Sequence, residues 1–136
     1  MLFEFRDRRM DGNMKTILLV DDDRDILSYL EDSLGMLGYN VIPKPDAQSA
    51  LSVIRAGVKV DLVVTDYSMP GMDGHEFFSV LKQALPSVPV IILTGYGSVE
   101  TYLKSLSLGV CEFVCKPIEA KELDRIVKAA LDRAEA

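Results

Sequence analysis

Thr16-Ile17-Leu18-Leu19-Val20-Asp21-Asp22-Asp23 is the stretch that decides the architecture: five aliphatic or β-branched residues stop abruptly at three carboxylates. A short apolar run bounded in this way reads as a buried strand. The same termination recurs downstream, where Leu62-Val63-Val64-Thr65 ends at Asp66 and Phe113-Val114-Cys115 ends at Lys116-Pro117. As parallel strands of one sheet, these runs would bring their carboxyl ends to a common edge, the place where open α/β sheets build their sites. Two or three carboxylates then crowd beside one ammonium. Like charges about 4 Å apart repel by roughly 4 kcal/mol at an effective dielectric near 20, so a divalent cation is the expected companion.

Outward from this stretch, short β-branched runs at 16–20, 40–42, 61–65, 90–94 and 111–115 alternate with amphipathic segments, the pattern of a parallel sheet with crossover helices. Ile26, Leu27, Leu30, Leu34 and Leu37 keep helical spacing, as do Ala47, Ala50, Leu51 and Ile54. Gly38, Gly57 and Gly109 fit the left-handed residue just past a helix end, and Ser98 offers an N-cap oxygen for a helix over 99–108. A last helix is expected over 119–134, with Leu123, Ile126, Val127, Ala130 and Leu131 on one side. Right-handed crossovers place helices on both faces. The expected fold is therefore an α/β, flavodoxin-like, doubly wound five-stranded parallel sheet, (βα)5, with strand order 2-1-3-4-5.

Bulk properties narrow the function classes. A chain of 136 residues, 49% hydrophobic and 26% charged, fits one globular domain. The longest apolar stretch, Val88 to Leu93, falls far short of the roughly 20 residues that a membrane span needs. The start, MLFEFRDRRMDGNM, lacks the apolar core of a signal peptide, so a cytoplasmic protein is expected. With net charge −6 and no long basic run, direct nucleic-acid binding is not expected. Cys111 and Cys115 would lie about 13 Å apart in one strand, too far for a disulfide, and are expected to be buried thiols. No G-x-G-x-x-G or G-x-x-x-x-G-K-[ST] run offers a nucleotide phosphate cradle.

A lone acid after a strand is most simply a solvated loop residue or a helix cap. The company of Asp66 changes that reading, because Asp21 and Asp22, Thr94 and Lys116 occupy the equivalent corners of three other strands. Magnesium prefers near-octahedral oxygen ligands and commonly uses one or two protein carboxylates, which Asp22 and Asp66 would supply. Asp21 suits a metal-bound water, and Asp23 suits the cap of the helix beginning near Arg24. With charge compensation, the Asp66 carboxylate can act as a nucleophile toward phosphorus, and the Lys116 ammonium and Thr94 hydroxyl suit the transferring oxygens. A cis bond before Pro117 is expected on the same grounds, since X-Pro tolerates it cheaply.

ILLVDDD, LVVTDYSMPGMDG, VIILTGYGS and GVCEFVCKPI, in this order and spacing, resemble the receiver domain of two-component response regulators. The resemblance covers 15–134 as one receiver domain and leaves 1–14 as an extension expected to be poorly ordered. It implies Asp66 as phosphoacceptor and Asp21 and Asp22 as the acidic pair. It further implies the Ser68 backbone carbonyl as a third Mg²⁺ ligand, Lys116 as the lysine of the family, and Thr94 and Phe113 as switch residues. Partners implied are a sensor histidine kinase, docking near the first helix and the loop after Lys116, and an output protein or effector domain. The output face would comprise 99–108, 111–115 and 119–134, through which a homodimer could also form. TGYGS is most similar to receivers of the nitrogen-regulation type, which act in transcription regulation. Pro43-Lys44-Pro45 departs from the family pattern, where a small residue and an acid are frequent.

Three rivals remain at this stage. A haloacid-dehalogenase-type phosphatase also uses an Asp nucleophile with magnesium, but it places a second acid two residues on, where Ser68 stands. A flavin-binding domain of the same fold would be coloured and indifferent to magnesium. A degenerate receiver would act by interaction alone, against which the intact acids argue. His75 reads as helix surface, and Phe77 and Phe78 as core.

Overall fold

Alternate residues of the apolar runs must face opposite sides of a sheet, and the computed structural model shows two separate cores that divide them in this way. It describes residues 14–67, 71–72, 74–95 and 112–135. The elements are β1 (Thr16–Val20), α1 (Arg24–Met36), β2 (Asn40–Lys44), α2 (Ala47–Arg55), β3 (Leu62–Asp66), α3 (Gly74–Ala84), β4 (Val90–Thr94), β5 (Glu112–Cys115) and α4 (Ala120–Glu135). The strands form one five-stranded sheet in the order β2-β1-β3-β4-β5, all neighbours parallel. This is the expected flavodoxin-like, doubly wound topology.

Leu18, Val20, Val63, Val90 and Ile92 point to one core, closed by Ala47, Ala50 and Leu51 of α2 and by Phe77, Phe78 and Leu81 of α3. Ile17, Leu19, Leu62, Val64, Ile91 and Leu93 point to the other, closed by Leu30 and Leu34 of α1 and by Leu123, Ile126, Val127 and Ala130 of α4. Burying one such side chain contributes about 1.5–3 kcal/mol. Both faces of β1, β3 and β4 are thus covered, which explains why these strands are nearly continuous apolar runs.

The boundaries follow local chemistry. Asp23 caps α1 by accepting from the backbone N–H groups of Asp25 and Ile26 at 3.0 and 3.2 Å. Gly38, at φ +99°, turns the chain from α1 into β2, and the Tyr39 N–H returns to the Leu34 carbonyl at 3.2 Å. Gly57, at φ +82°, does the same after α2. β2 runs two residues further than the sequence pattern suggests, through Pro43 and Lys44. As an edge strand paired only with β1, it tolerates a residue that cannot donate a ladder hydrogen bond. Asp61 lies before β3, its carboxylate accepting from the Thr16 N–H at 2.8 Å.

Asp46 caps α2 by accepting from the Ser49 N–H at 2.7 Å, and this bond holds its carboxyl below the usual aspartate range. Asp46→Ala should cost about 1 kcal/mol, read from chemical denaturation at neutral pH. Because the folded-state pKa is depressed, that contribution is present above the unfolded pKa and disappears as pH falls through the folded one. The stability difference between wild type and variant should therefore shrink in acid; a difference that persists there would contradict the cap assignment.

One expectation changes and others fall outside the described residues. Cys115 is an exposed free thiol rather than a buried one: among the described residues β5 pairs only with β4, and its last residue stands at the open sheet end. Residues 1–13, Ser68, Ser98, 99–108, Gly109, Cys111 and the His75 side chain, for which the sequence also gives expectations, lie outside the described residues. Phe77 and Phe78 are core, as expected.

Candidate functional site

Register fixes what meets at the carboxyl edge of the sheet. Val20, the last residue of β1, pairs with Thr65, so Asp21 and Asp66 stand at the same level on adjacent strands. Asp66 pairs with Leu93, one position short of Thr94, and Thr94 pairs with Cys115, one position short of Lys116. The ladder continues one step further, since the Lys116 N–H donates to the Thr94 carbonyl at 2.8 Å. The bond from Lys116 to Pro117 is cis, as expected. Asp66 is the final residue of β3 rather than the first of the following loop.

The side chains converge. The Lys116 Nζ lies 2.7 Å from Asp21 Oδ2 and 3.3 Å from Asp66 Oδ2. The other Asp21 oxygen accepts from the Asp23 N–H at 2.9 Å. Asp21, Asp66 and Thr94 are 2%, 8% and 1% exposed, whereas Asp22 faces solvent. Burial is the strongest single influence on the Lys116 ammonium and opposes its charge. The Asp21 hydrogen bond and the charges of Asp21 and Asp66 together outweigh it and hold the group above the ordinary lysine range.

One ligand oxygen from each of Asp21, Asp22 and Asp66 falls within 4.8 Å of the others. Among the described residues three carboxylates gather beside one ammonium at one sheet end, which is the donor chemistry of a hard divalent cation such as Mg²⁺. The residues present fit that ion. Both Asp21 oxygens are already engaged, by Lys116 and by the Asp23 amide, whereas Asp22 is exposed to solvent.

Phe113 is half-buried and lies against the core between the sheet and the α2/α3 layer, the face shared by alternation with Thr94. Two cavities flank the site. One, of about 390 Å³, is lined by Asp22, Pro45, Asp46, Gln48 and Met72. The other, of about 350 Å³ and almost wholly apolar, is lined by Ile26, Tyr29, Leu30, Leu93, Pro117 and Ile118, with Lys116 at its rim. Its walls were not singled out from sequence. Tyr29, 51% exposed on α1, is their only local signal.

Residues 17–128 match the response regulator receiver domain. The chain belongs to that family. It is 35% identical over 116 residues to the response regulator protein FleR of Pseudomonas aeruginosa, covering 85% of this chain. The receiver spans only 24% of FleR's length. Among solved structures it is similar to a CheY-like receiver domain protein from Methanospirillum hungatei JF-1, with a TM-score of 0.86 at 32% identity over 90% of this chain and 97% of that one. It is also similar to a beryllofluoride-activated NtrC4 receiver domain dimer, with a TM-score of 0.83 at 32% identity over 89% and 99%. Receivers as a family are phosphoryl-accepting switches that bind Mg²⁺ through acidic residues and work with histidine kinases and output domains. Among the described residues of this receiver, no helix is long and apolar enough to cross a membrane.

Proposed function

We propose that this receiver accepts a phosphoryl group on Asp66 from a sensor histidine kinase and relays the change to an output protein or effector domain. The observation that carries this reading is the convergence of Asp21, Asp22 and Asp66 around a lysine whose Nζ reaches two of the three carboxylates. An Asp66 carboxylate oxygen forms the new P–O bond as the P–N bond to the donor histidine breaks and the imidazole keeps the electron pair. Asp22, Asp66 and the Ser68 backbone carbonyl would hold Mg²⁺, with Asp21 acting through a water; the ion supplies compensation for phosphoryl charge.

Lys116 stands ready to leave its 3.3 Å contact with Asp66 for a phosphoryl oxygen while keeping Asp21. The Thr94 hydroxyl, one register step from Asp66, serves a second oxygen, and Phe113 repacks on the same sheet face. Without a phenolic hydroxyl, Phe113 responds through packing alone. Moving a switch from mostly off to mostly on takes about 5.5 kcal/mol of differential interaction, which a dianion meeting Lys116, Thr94 and the ion supplies in part.

The kinase would dock over the apolar cavity between α1 and Ile118, directly beside Lys116. Output would run through 99–108, β5 and α4, the face that would also serve a homodimer. TGYGS and the similarity to the NtrC4 receiver dimer favour a nitrogen-regulation-type receiver, and the similarity to the transcriptional regulatory protein GlrR of Escherichia coli, 36% identical over 118 residues, favours control of transcription. Residues 15–134 would be the functional unit, acting in the cytoplasm.

Intact-mass measurement after exposure to a small acyl phosphate tests the reading. One phosphoryl group should add in the presence of Mg²⁺ and be lost from the yield when a chelator is present. Equal labelling with and without the chelator would contradict it.

A further inference from the structure

Lys44 ends β2 between two prolines, and its partner across the sheet is Val20, the residue before Asp21. Its carbonyl accepts from the Asp21 N–H at 3.2 Å, which ties this position to the acidic corner. Pro45 keeps the residue before it extended, so the alternation of the strand continues through Lys44. The Lys44 side chain therefore shares a sheet face with Ile42, which packs on the α2/α3 core. The cavity of about 390 Å³ beside the site lies on that face, between the start of α2 and Met72. Asp22 and Asp46 line it, and among the described residues no cation does. Lys44 is half-buried and makes no ion pair among the described residues. Its charge still reaches the cavity wall: the Asp46 carboxyl, lowered chiefly by its bonds from Ser49, is lowered further by Lys44.

We propose that Lys44 is a second cation of the site, one that draws small anionic acyl phosphates in through this cavity and opposes the binding of Mg²⁺. This role presupposes Asp66 as the phosphoacceptor. A doubly charged donor entering past Asp22 and Asp46 meets two like charges before it reaches Asp66. An ammonium one strand away, within the Debye length of about 10 Å at 0.1 M salt, offsets them and raises the local donor concentration. Lys116 is committed to Asp21 and Asp66, whereas Lys44 is committed to no carboxylate. The same charge repels a divalent cation at the neighbouring acids. In the transfer itself an Asp66 oxygen forms the new P–O bond as the donor's P–O bond breaks, and its carboxylate leaves with the electron pair. Lys44 acts on approach rather than on bond making, so it is a positioning residue.

Lys44→Met keeps the side-chain stem and removes the charge. Labelling of the full chain by acetyl phosphate, followed by intact mass at saturating Mg²⁺, should show a several-fold higher half-saturating donor concentration with the limiting rate unchanged. Lys44→Arg should behave as wild type, and Lys44→Glu should move further in the direction of Lys44→Met. The Mg²⁺ midpoint, read without donor from the rise in melting temperature, should move the opposite way, to several-fold lower concentration in Lys44→Met. A purely structural lesion would weaken donor and metal together. Both differences should shrink in concentrated salt. An unchanged donor dependence in Lys44→Met would overturn the proposal, as would an unchanged or raised Mg²⁺ midpoint. A wild-type chain that takes no phosphoryl group at Asp66 would instead refute the phosphoacceptor reading and the donor role with it, while the magnesium midpoints would still show whether Lys44 acts on the metal.

Discussion

Asp66→Asn should abolish phosphoryl incorporation and, in metal-free buffer, raise the melting temperature. The carboxamide oxygen is a poor nucleophile toward phosphorus, so loss of labelling should be complete rather than graded. The stability gain follows from charge. Asp66 shares a sheet end with Asp21 and Asp22, ligand oxygens within 4.8 Å, and each like-charge pair at such a distance is worth between about 1 and 4 kcal/mol depending on solvent access. Against this, the substitution removes the longer of the two lysine contacts, 3.3 Å, while the 2.7 Å contact to Asp21 remains. Repulsion from two acids outweighs attraction to one shared ammonium. Added Mg²⁺ should stabilise wild type more than the variant, by mass action on a site that has lost a ligand. Melts with and without magnesium check this; a lower melting temperature for metal-free Asp66→Asn would contradict the charge account.

Lys116→Ala should act in the opposite sense on stability. Asp21 is 2% exposed, and among the described residues Lys116 provides its only ion pair. Removing one partner of a buried ion pair costs about 3–5 kcal/mol, and the partial exposure of Lys116 places the expected loss at or below the low end of that range. The ammonium is held above the ordinary lysine range, so the pair's contribution is fully present at neutral pH and lost only as pH rises through the folded value. The gap between wild type and variant should therefore be constant from pH 6 to 9, roughly, and close in strong alkali. Magnesium should recover part of the loss. Phosphoryl acceptance should continue at a reduced rate, with the change at the output face uncoupled from it. Urea denaturation at several pH values measures the first effect; an unchanged midpoint would remove Lys116 from its proposed role.

The strands were legible because each is a nearly pure apolar run stopped by a charge, and burial on both faces leaves little else that β1, β3 and β4 could be. Helices on both faces followed from handedness, but handedness does not by itself choose among doubly wound orders, and the flavodoxin-like order 2-1-3-4-5 was an expectation that the sheet bears out. The edges were harder. Pro43 hid the end of β2, because proline argues against a strand unless the strand is known to lie at an edge, and that is a property of the sheet rather than of the segment. Cys115 was misjudged for the same reason: its run is apolar, but among the described residues the end of β5 pairs with β4 alone.

At the site, Asp21, Asp22, Asp66 and Lys116 were legible as a group, since corner positions in a parallel sheet must converge. Asp23 declared itself as a cap through its place before an amphipathic run. What sequence could not give was the division of labour among the acids. That Asp21 commits one oxygen to Lys116 and the other to a backbone amide depends on rotamers and burial, not on spacing. The apolar cavity beside Lys116 was hidden too, because its walls come from α1, β4 and the segment before α4, and none of Ile26, Leu93 or Ile118 differs from an ordinary core residue when read alone.

The most direct test of the central claim is borohydride trapping after treatment with a small acyl phosphate and magnesium. Hydride reduces a mixed carboxylic–phosphoric anhydride to an alcohol, converting the aspartate that carries it into homoserine. Peptide sequencing by mass spectrometry should find homoserine at position 66 and at no other aspartate. Homoserine at Asp21 or Asp22 instead, or a phosphoryl adduct that resists reduction, would contradict the account.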